Sequence, residues 1–389
     1  MSILQNPVNH VIFYTRAAEV RAVPDLYYSR TMNGSIPDVD YPALAQDIKR
    51  WGRGLGFQQL GITDTGLQTT ELQLQEWLNL GYHGEMDYMW RHGSRRTRPA
   101  ELVDGTIRVI SARMDYLPPG DQASSVQADP AAAFISRYAL GRDYHKTLRK
   151  RLQELATRIE QACGAFGYRV FVDSAPVMEK PLAVKAGLGW MGKHSNLINR
   201  QAGSWFFLGE IYTDLPLPMD QPVSDHCGTC ADCIEVCPTG AIVAPYQVDA
   251  RLCISYLTIE LQGAIPPVLR PLMGNHIYGC DDCMMICPWN RFASPTTEAD
   301  FLPRQGLDTA TLCDLFCWTR EEFLRRTEGS PIRRIGYARW LRNIAVSLGN
   351  GPATPTVLEL LHRRLGSCSG LVDEHIDWAI QRLDGRNTI

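Results

Sequence analysis

Cys227-Gly-Thr-Cys230-Ala-Asp-Cys233-Ile-Glu-Val-Cys237-Pro238 and the later run Cys280-Asp-Asp-Cys283-Met-Met-Ile-Cys287-Pro288 decide how this chain is read. The first run has the spacing C-x2-C-x2-C-x3-C-P of a [4Fe–4S] ligand loop. Three close cysteines wrap one face of a cubane. The fourth sits on a helix leading away, so its thiolate faces a neighbouring cluster. The second run repeats the pattern without its leading cysteine, since position 277 is Ile. Cys253, alone between the runs, is the natural replacement. Two four-cysteine sets then close with none left over: Cys227, Cys230, Cys233 and Cys287, and Cys237, Cys253, Cys280 and Cys283. Zinc also takes C-x2-C pairs, but two C-x3-C-P endings favour iron–sulfur. Thiolate ligands fit a reducing compartment, which argues against disulfides.

The chain has 389 residues, enough for two or three domains. Its net charge of -3 carries no global signal for nucleic acid, so such a reading needs a local patch. No stretch is long and apolar enough to span a membrane. The run Val11-Ile-Phe-Tyr14 is too short for a signal-peptide core. Residues 1–40 read as a loosely organised extension, with Met32 an alternative start. Cys163, Cys313, Cys317 and Cys368 are expected as small buried residues.

Helical spacing predicts a helix over 41–55, with Leu44, Ile48, Trp51 and Leu55 on one face. Strand 57–63, helix 69–80, strand 106–114, helix 146–164, strand 168–173, helix 179–186 and strand 206–212 follow, and 121–133 reads as a polar surface loop. This alternation implies an α/β domain. Pro216 and Pro218 mark a boundary before the cysteine runs. From Leu312 the pattern is helical, with Trp340, Ile344 and Leu348 in one stripe and Val357, Leu360, Leu361 and Leu365 in another. Helical hairpins of the HEAT kind fit.

Gly187-Leu-Gly-Trp-Met-Gly-Lys-His194 imitates two nucleotide motifs and satisfies neither. A dinucleotide fingerprint follows a strand, and these glycines follow a helix; the P-loop hydroxyl position is His194. What remains is a tight turn beside Lys193. Between Arg320 and Arg342, seven arginines stand against three glutamates, with Tyr337 and Trp340 interleaved. That is either a solvated helix face or a phosphate-contact surface. Asp143 stands at a helix start, where an N-cap is the plain reading. Asp143-x-His145 begins the corrinoid signature D-x-H-x-x-G, but position 148 is Leu. Asp173, in Val172-Asp-Ser-Ala-Pro176, ends a strand and is either a turn residue or a general acid.

Arg-Tyr-Ala-Leu-Gly-Arg-Asp-Tyr-His (137–145), Val-Asp-Ser-Ala-Pro (172–176), Ala-Gly-Leu-Gly-Trp-Met-Gly-Lys-His-Ser (186–195), the cysteine sets and Ile-Ser-Tyr-Leu-Thr-Ile-Glu (254–260) together resemble the epoxyqueuosine reductase family. The resemblance runs from about residue 42 to the end. It implies reduction of the epoxide of epoxyqueuosine at the tRNA wobble position, using base-off cob(II)alamin and two [4Fe–4S] clusters. It implies an α/β cobalamin-binding domain over 41–217, a ferredoxin-like module over 218–292 and HEAT-like tRNA-binding repeats over 293–389. Asp173 matches the family's proton donor. Tyr144 and His145 match residues on the substrate side of the cobalt. Arg96, Lys193, Ser195, Cys280 and Asp281 fall in segments that resemble cobalamin contacts. Arg333, Arg334, Arg339 and Arg342 are the expected tRNA contacts. A cytoplasmic monomer fed by a low-potential electron donor is expected. A corrinoid reductive dehalogenase is the alternative.

Overall fold

The structure, a computed structural model, describes residues 39–120 and 122–387. The expected extension lies outside these, apart from residues 39 and 40. Helix α1 (Tyr41–Gly54) begins where the Asp40 carboxylate accepts the Ala43 N–H at 3.0 Å, with Pro42 in the first turn. It ends before Gly56, φ +90°. A side chain at Gly56 would meet the Arg151 guanidinium at 2.2 Å, so glycine is needed there for space as well as for φ.

β1 (Gln59–Thr63), α2 (Gln68–Asn79), β2 (Arg108–Asp115), α3 (Ala123–Ala128), α4 (Tyr144–Cys163), β3 (Tyr168–Phe171), α5 (Glu179–Lys185) and β4 (Phe206–Thr213) follow, all but α3 close to the expected boundaries. The sheet order is β1-β2-β4-β3, and every pair is antiparallel despite the alternating chain order. Both faces are covered. Phe207 and Ile211 of β4 pack with α1 and α4, while Phe206 and Leu208 pack with α5. This is the two-residue alternation of a strand.

Two expectations fail here. Residues 122–133 lie at the surface but are not all loop: α3 buries Ala123 and Val126, and Ala132 and Ala133 are buried beyond it. Ala123 and Val126, a helical turn apart, give the segment an apolar face that composition hides. Of the leftover cysteines only Cys163 is buried; Cys313 is half-buried and Cys317 and Cys368 are exposed.

The cysteine region has two similar halves, each a loop leading into a one-turn helix, Asp232–Glu235 and Asp282–Met285. The strand His276–Tyr278 introduces the second half and pairs in parallel with Phe134–Ile135. Helices α6 (Gly336–Asn350), α7 (Pro355–Arg364) and α8 (Gly370–Asn387) close the chain. Every residue of α6 from Trp340 to Gly349 is buried. Val357, Leu360 and Leu361 are buried as expected, whereas Leu365 lies past the end of α7 and is exposed. One hydrophobic core runs from Leu44 of α1 through the sheet to Leu383 of α8.

Candidate active site

The cysteines gather as their spacing predicts. Cys233 has Cys227, Cys230 and Cys287 as its charged neighbours. Cys253 faces Cys237, and Cys280 and Cys283 both face Cys253. Burial, and then the neighbouring thiols, push Cys233 up to about 12; burial and then Cys237 do the same to Cys253. Four thiolates so close require cationic iron to hold them deprotonated, so the donor sets suit metal clusters. The structure places Lys193 at this part of the site. Its Nζ donates to Gly228 O and Cys230 O, both at 2.7 Å, and staples the first cysteine loop. The glycines around it serve the protein's own packing: a side chain at Gly189 would meet Ile198 O at 2.2 Å.

Asp173 follows β3 directly, with φ +50° and a carboxylate only 4% exposed. Tyr144 and His145 reach it from the first turn of α4. The Tyr144 O–H donates to Asp173 Oδ2. The Tyr144 ring lies flat on Phe207 of β4, centroids 3.9 Å apart, which fixes its aim. His145 Nε2 is 3.6 Å from the same oxygen, within ion-pair reach but short of a formed hydrogen bond. Asp143 is the expected N-cap and more. Its Oδ1 accepts the His145 N–H at 3.2 Å and lies 2.6 Å from His145 Nδ1, while Oδ2 accepts Arg334 Nη2 at 2.6 Å. Gly141 lets this turn lie against residues 300–301, where a side chain would come within 2.6 Å of Asp300 O.

These contacts set the charges. Burial opposes the charge on Asp143, but the His145 hydrogen bond and Arg334 bring it down to about 2. Burial likewise opposes the His145 cation, yet its two carboxylate partners raise it overall. Both His145 nitrogens face carboxylates, Nδ1 that of Asp143 and Nε2 that of Asp173.

The remaining expected residues divide. Arg96 is buried, donates Nη2 to Tyr88 O at 2.9 Å and lies in the field of Asp173; its Nε has no partner among the described residues. Ser195 is buried at φ +63°, its Oγ equally without one. Asp281 is buried, its oxygens accepting Ser136 Oγ at 2.6 Å and the Arg137 N–H at 2.8 Å. Arg342 is no tRNA contact. It is wholly buried and donates to Leu257 O, Leu261 O and Gly263 O. Arg339 is likewise turned inward, onto Ile259 O and Ile335 O, and Arg334 is held by Asp143. Only Arg333 of that set is exposed.

Sequence reasoning missed Lys180, Glu179, Glu210 and Glu260, all buried and all in the field of Asp173. Lys180 Nζ donates to Ser195 O at 3.1 Å and Asn196 Oδ1 at 2.9 Å, and burial lowers it to about 8. Glu210 did leave a trace, as the one charge in Phe206-Phe-Leu-Gly-Glu-Ile-Tyr-Thr213.

Residues 96–174 match the family described as epoxyqueuosine reductase QueG, DUF1730, and residues 226–290 match a 4Fe-4S double cluster binding domain. The epoxyqueuosine reductase of Pseudomonas aeruginosa is 62% identical over 352 residues, covering 90% of this chain and 97% of its own. The chain belongs to the epoxyqueuosine reductase family. The Escherichia coli epoxyqueuosine reductase is 61% identical over 350 residues, covering 90% of this chain and 92% of its own. A solved epoxyqueuosine reductase with an epoxyqueuosine-modified tRNA stem loop has the same fold, with TM-score 0.80 at 24% identity over 88% of this chain and 90% of that one. Family membership removes the dehalogenase alternative.

Proposed function

We propose that this epoxyqueuosine reductase acts on tRNA, seats cobalamin above Asp173, and holds two [4Fe–4S] clusters on the crossed cysteine sets. What supports the cofactor is a run of buried polar atoms lacking a protein partner among the described residues: Arg96 Nε, His194 Nε2 and Ser195 Oγ. Arg96 lies in the field of Asp173, and Lys180 ties Asp173 to the 194–196 turn. A corrinoid rim of carboxamides both donates and accepts, and this set matches it. Bound there, cobalamin would supply a strong reduced-cobalt nucleophile, and clusters on the two cysteine sets would supply single electrons.

The chain's own task is protons. Turning an epoxide into an alkene consumes two electrons and two protons and releases one water. Asp173 gives a proton to the oxygen leaving carbon. The Tyr144 O–H aims and steadies the resulting carboxylate. His145, kept cationic by Asp143, is within reach to restore the proton before the second transfer.

The three-part division at residues 41–217, 218–292 and 293–389 follows this reading, with α6 to α8 stacked as HEAT-like repeats. The tRNA backbone meets the exposed arginines Arg320, Arg325 and Arg333. A tRNA substrate puts the reaction in the cytoplasm, where a monomer takes electrons from a low-potential donor. The observation that carries the mechanism is the convergence of Tyr144 and His145 on one buried oxygen of Asp173. Two experiments test the reading. Nucleoside mass spectrometry of tRNA from a strain lacking the gene should show epoxyqueuosine, converted to queuosine when the gene returns; unchanged queuosine counts against it. Asp173→Asn should keep both cofactors and lose turnover, and a near-normal rate would remove Asp173 from the mechanism.

A further inference from the structure

Asp173 is in an uncommon conformation for a residue with a side chain. A φ of +50° outside glycine is strained and persists only where neighbours hold it. The neighbour here is Glu179, in the first turn of α5, whose Oε1 accepts the Asp173 backbone N–H at 2.5 Å. Behind Glu179 lies Glu210 of β4, wholly buried, the two carboxyl groups being neighbours that perturb each other.

Two carboxylates cannot hydrogen-bond without a proton between them. No donor of another described residue reaches either Glu210 oxygen. Ser111 sits opposite Glu210 in the β2–β4 register, and its Oγ also lacks a partner. Asp173, His145, Lys180 and Tyr212 are the titratable groups facing the pair. Burial dominates and raises both acids, Glu179 to about 8, so at least one proton stays with the pair at neutral pH. Glu210, deeper and without another donor, is the acid that keeps it, and Glu179 is the acceptor it supports.

We infer that Glu179 is a positioning residue for the proton donor: it pins the Asp173 amide, and with it the aim of the Asp173 carboxyl, while neutral Glu210 supplies the hydrogen bond that lets Glu179 do so in a dry interior. The pair gives no proton to substrate. It acts through Asp173, so the inference rests on Asp173 being the donor; the physical readouts below need no turnover and separate the two ideas.

In hydrogen exchange of the holoenzyme, the Asp173 amide is protected in the wild type. It exchanges at least tenfold faster in Glu179→Ala, with the β2 and β4 amides unchanged. Glu179→Gln keeps an acceptor oxygen and restores protection. In turnover, Glu179→Ala loses tenfold or more in kcat with KM for tRNA unchanged, and Glu179→Gln recovers most of that loss. The infrared difference between the wild type and Glu210→Gln at neutral pH shows the loss of one buried protonated-carboxyl band, while the amide of the variant still donates to Glu179 and keeps Asp173 protected. Unchanged Asp173 exchange in Glu179→Ala overturns the latch. So does a Glu179→Gln variant as fast-exchanging as the alanine variant. Absence of that band from the difference overturns the role of Glu210 even where the alanine variant does not fold.

Discussion

Replacing Asp143 by Asn tests the charge arrangement around the proton donor. The carboxylate bridges His145 and Arg334, each at 2.6 Å, with its side chain 18% exposed. It is held at about 2, against an unperturbed 3.8. By linkage that difference contributes about 2 kcal/mol to stability at neutral pH. The folded value lies below the unfolded one, so the contribution is present above pH 3.8 and fades as pH falls from there towards 2. His145 runs the other way. Its raised value makes its contribution full below 6.5 and lost as pH climbs through the folded value. A hydrogen bond to a charged group contributes about 1.5–3 kcal/mol, and Asp143 is one of the two carboxylates that hold the His145 proton against burial. The assay is the pH dependence of single turnover at saturating tRNA with excess reductant. In Asp143→Asn the limb reporting loss of the His145 proton should move towards acid, and the midpoint of chemical unfolding at pH 7 should fall. Superimposable profiles would refute the idea that Asp143 keeps His145 charged.

Two further predictions concern residues whose roles the fold reassigned or paired. Arg342→Ala leaves Leu257 O, Leu261 O and Gly263 O without their donor; only the bond to Leu257 O is buried, and at about 1–3 kcal/mol for a buried orphan stability should fall by at least about 1 kcal/mol. The salt dependence of tRNA binding by the folded fraction should stay as it was. Arg333→Ala should do the reverse, lowering the salt slope by about one with stability unchanged; binding loss in the first and none in the second would reinstate the inward arginine as a contact. Cys287→Ala and Cys253→Ala should remove different clusters, so the double variant should lose both iron–sulfur signals in electron paramagnetic resonance. If the double variant keeps one, both cysteines serve the same cluster and the crossed assignment falls.

How far the site could be read from sequence depended on whether its chemistry is local. The cysteine loops are local: ligand spacing follows from wrapping a short chain around a cluster, and the thiols gather accordingly. Asp143, Tyr144 and His145 share a helix start, and Asp173 ends a strand, so each was visible by position. Their meeting on one oxygen was not, because it depends on where β3 lies beside β4. The buried acids show the same limit. Glu179 looks like any acid in a first helical turn, and only sheet packing brings Glu210 behind it. Antiparallel pairing was hidden too, since alternating strands and helices suit either direction until the strand order is known.

The arginine-rich segment shows where counting charge stops working. A guanidinium offers five N–H groups, which suit buried carbonyls as well as phosphate. Arg342 sits among Trp340, Leu341 and Ile344 on a helix buried all round, and such a helix has no solvent face to carry a patch. Arg334 is the instructive case. It lies in the same segment as exposed Arg333, yet it holds Asp143, which holds His145, which reaches Asp173. The segment proposed to meet the tRNA backbone therefore shares a part with the proton donor's support. A charge reversal at Arg334 would disturb binding and chemistry together, whereas Arg333 reports on binding alone.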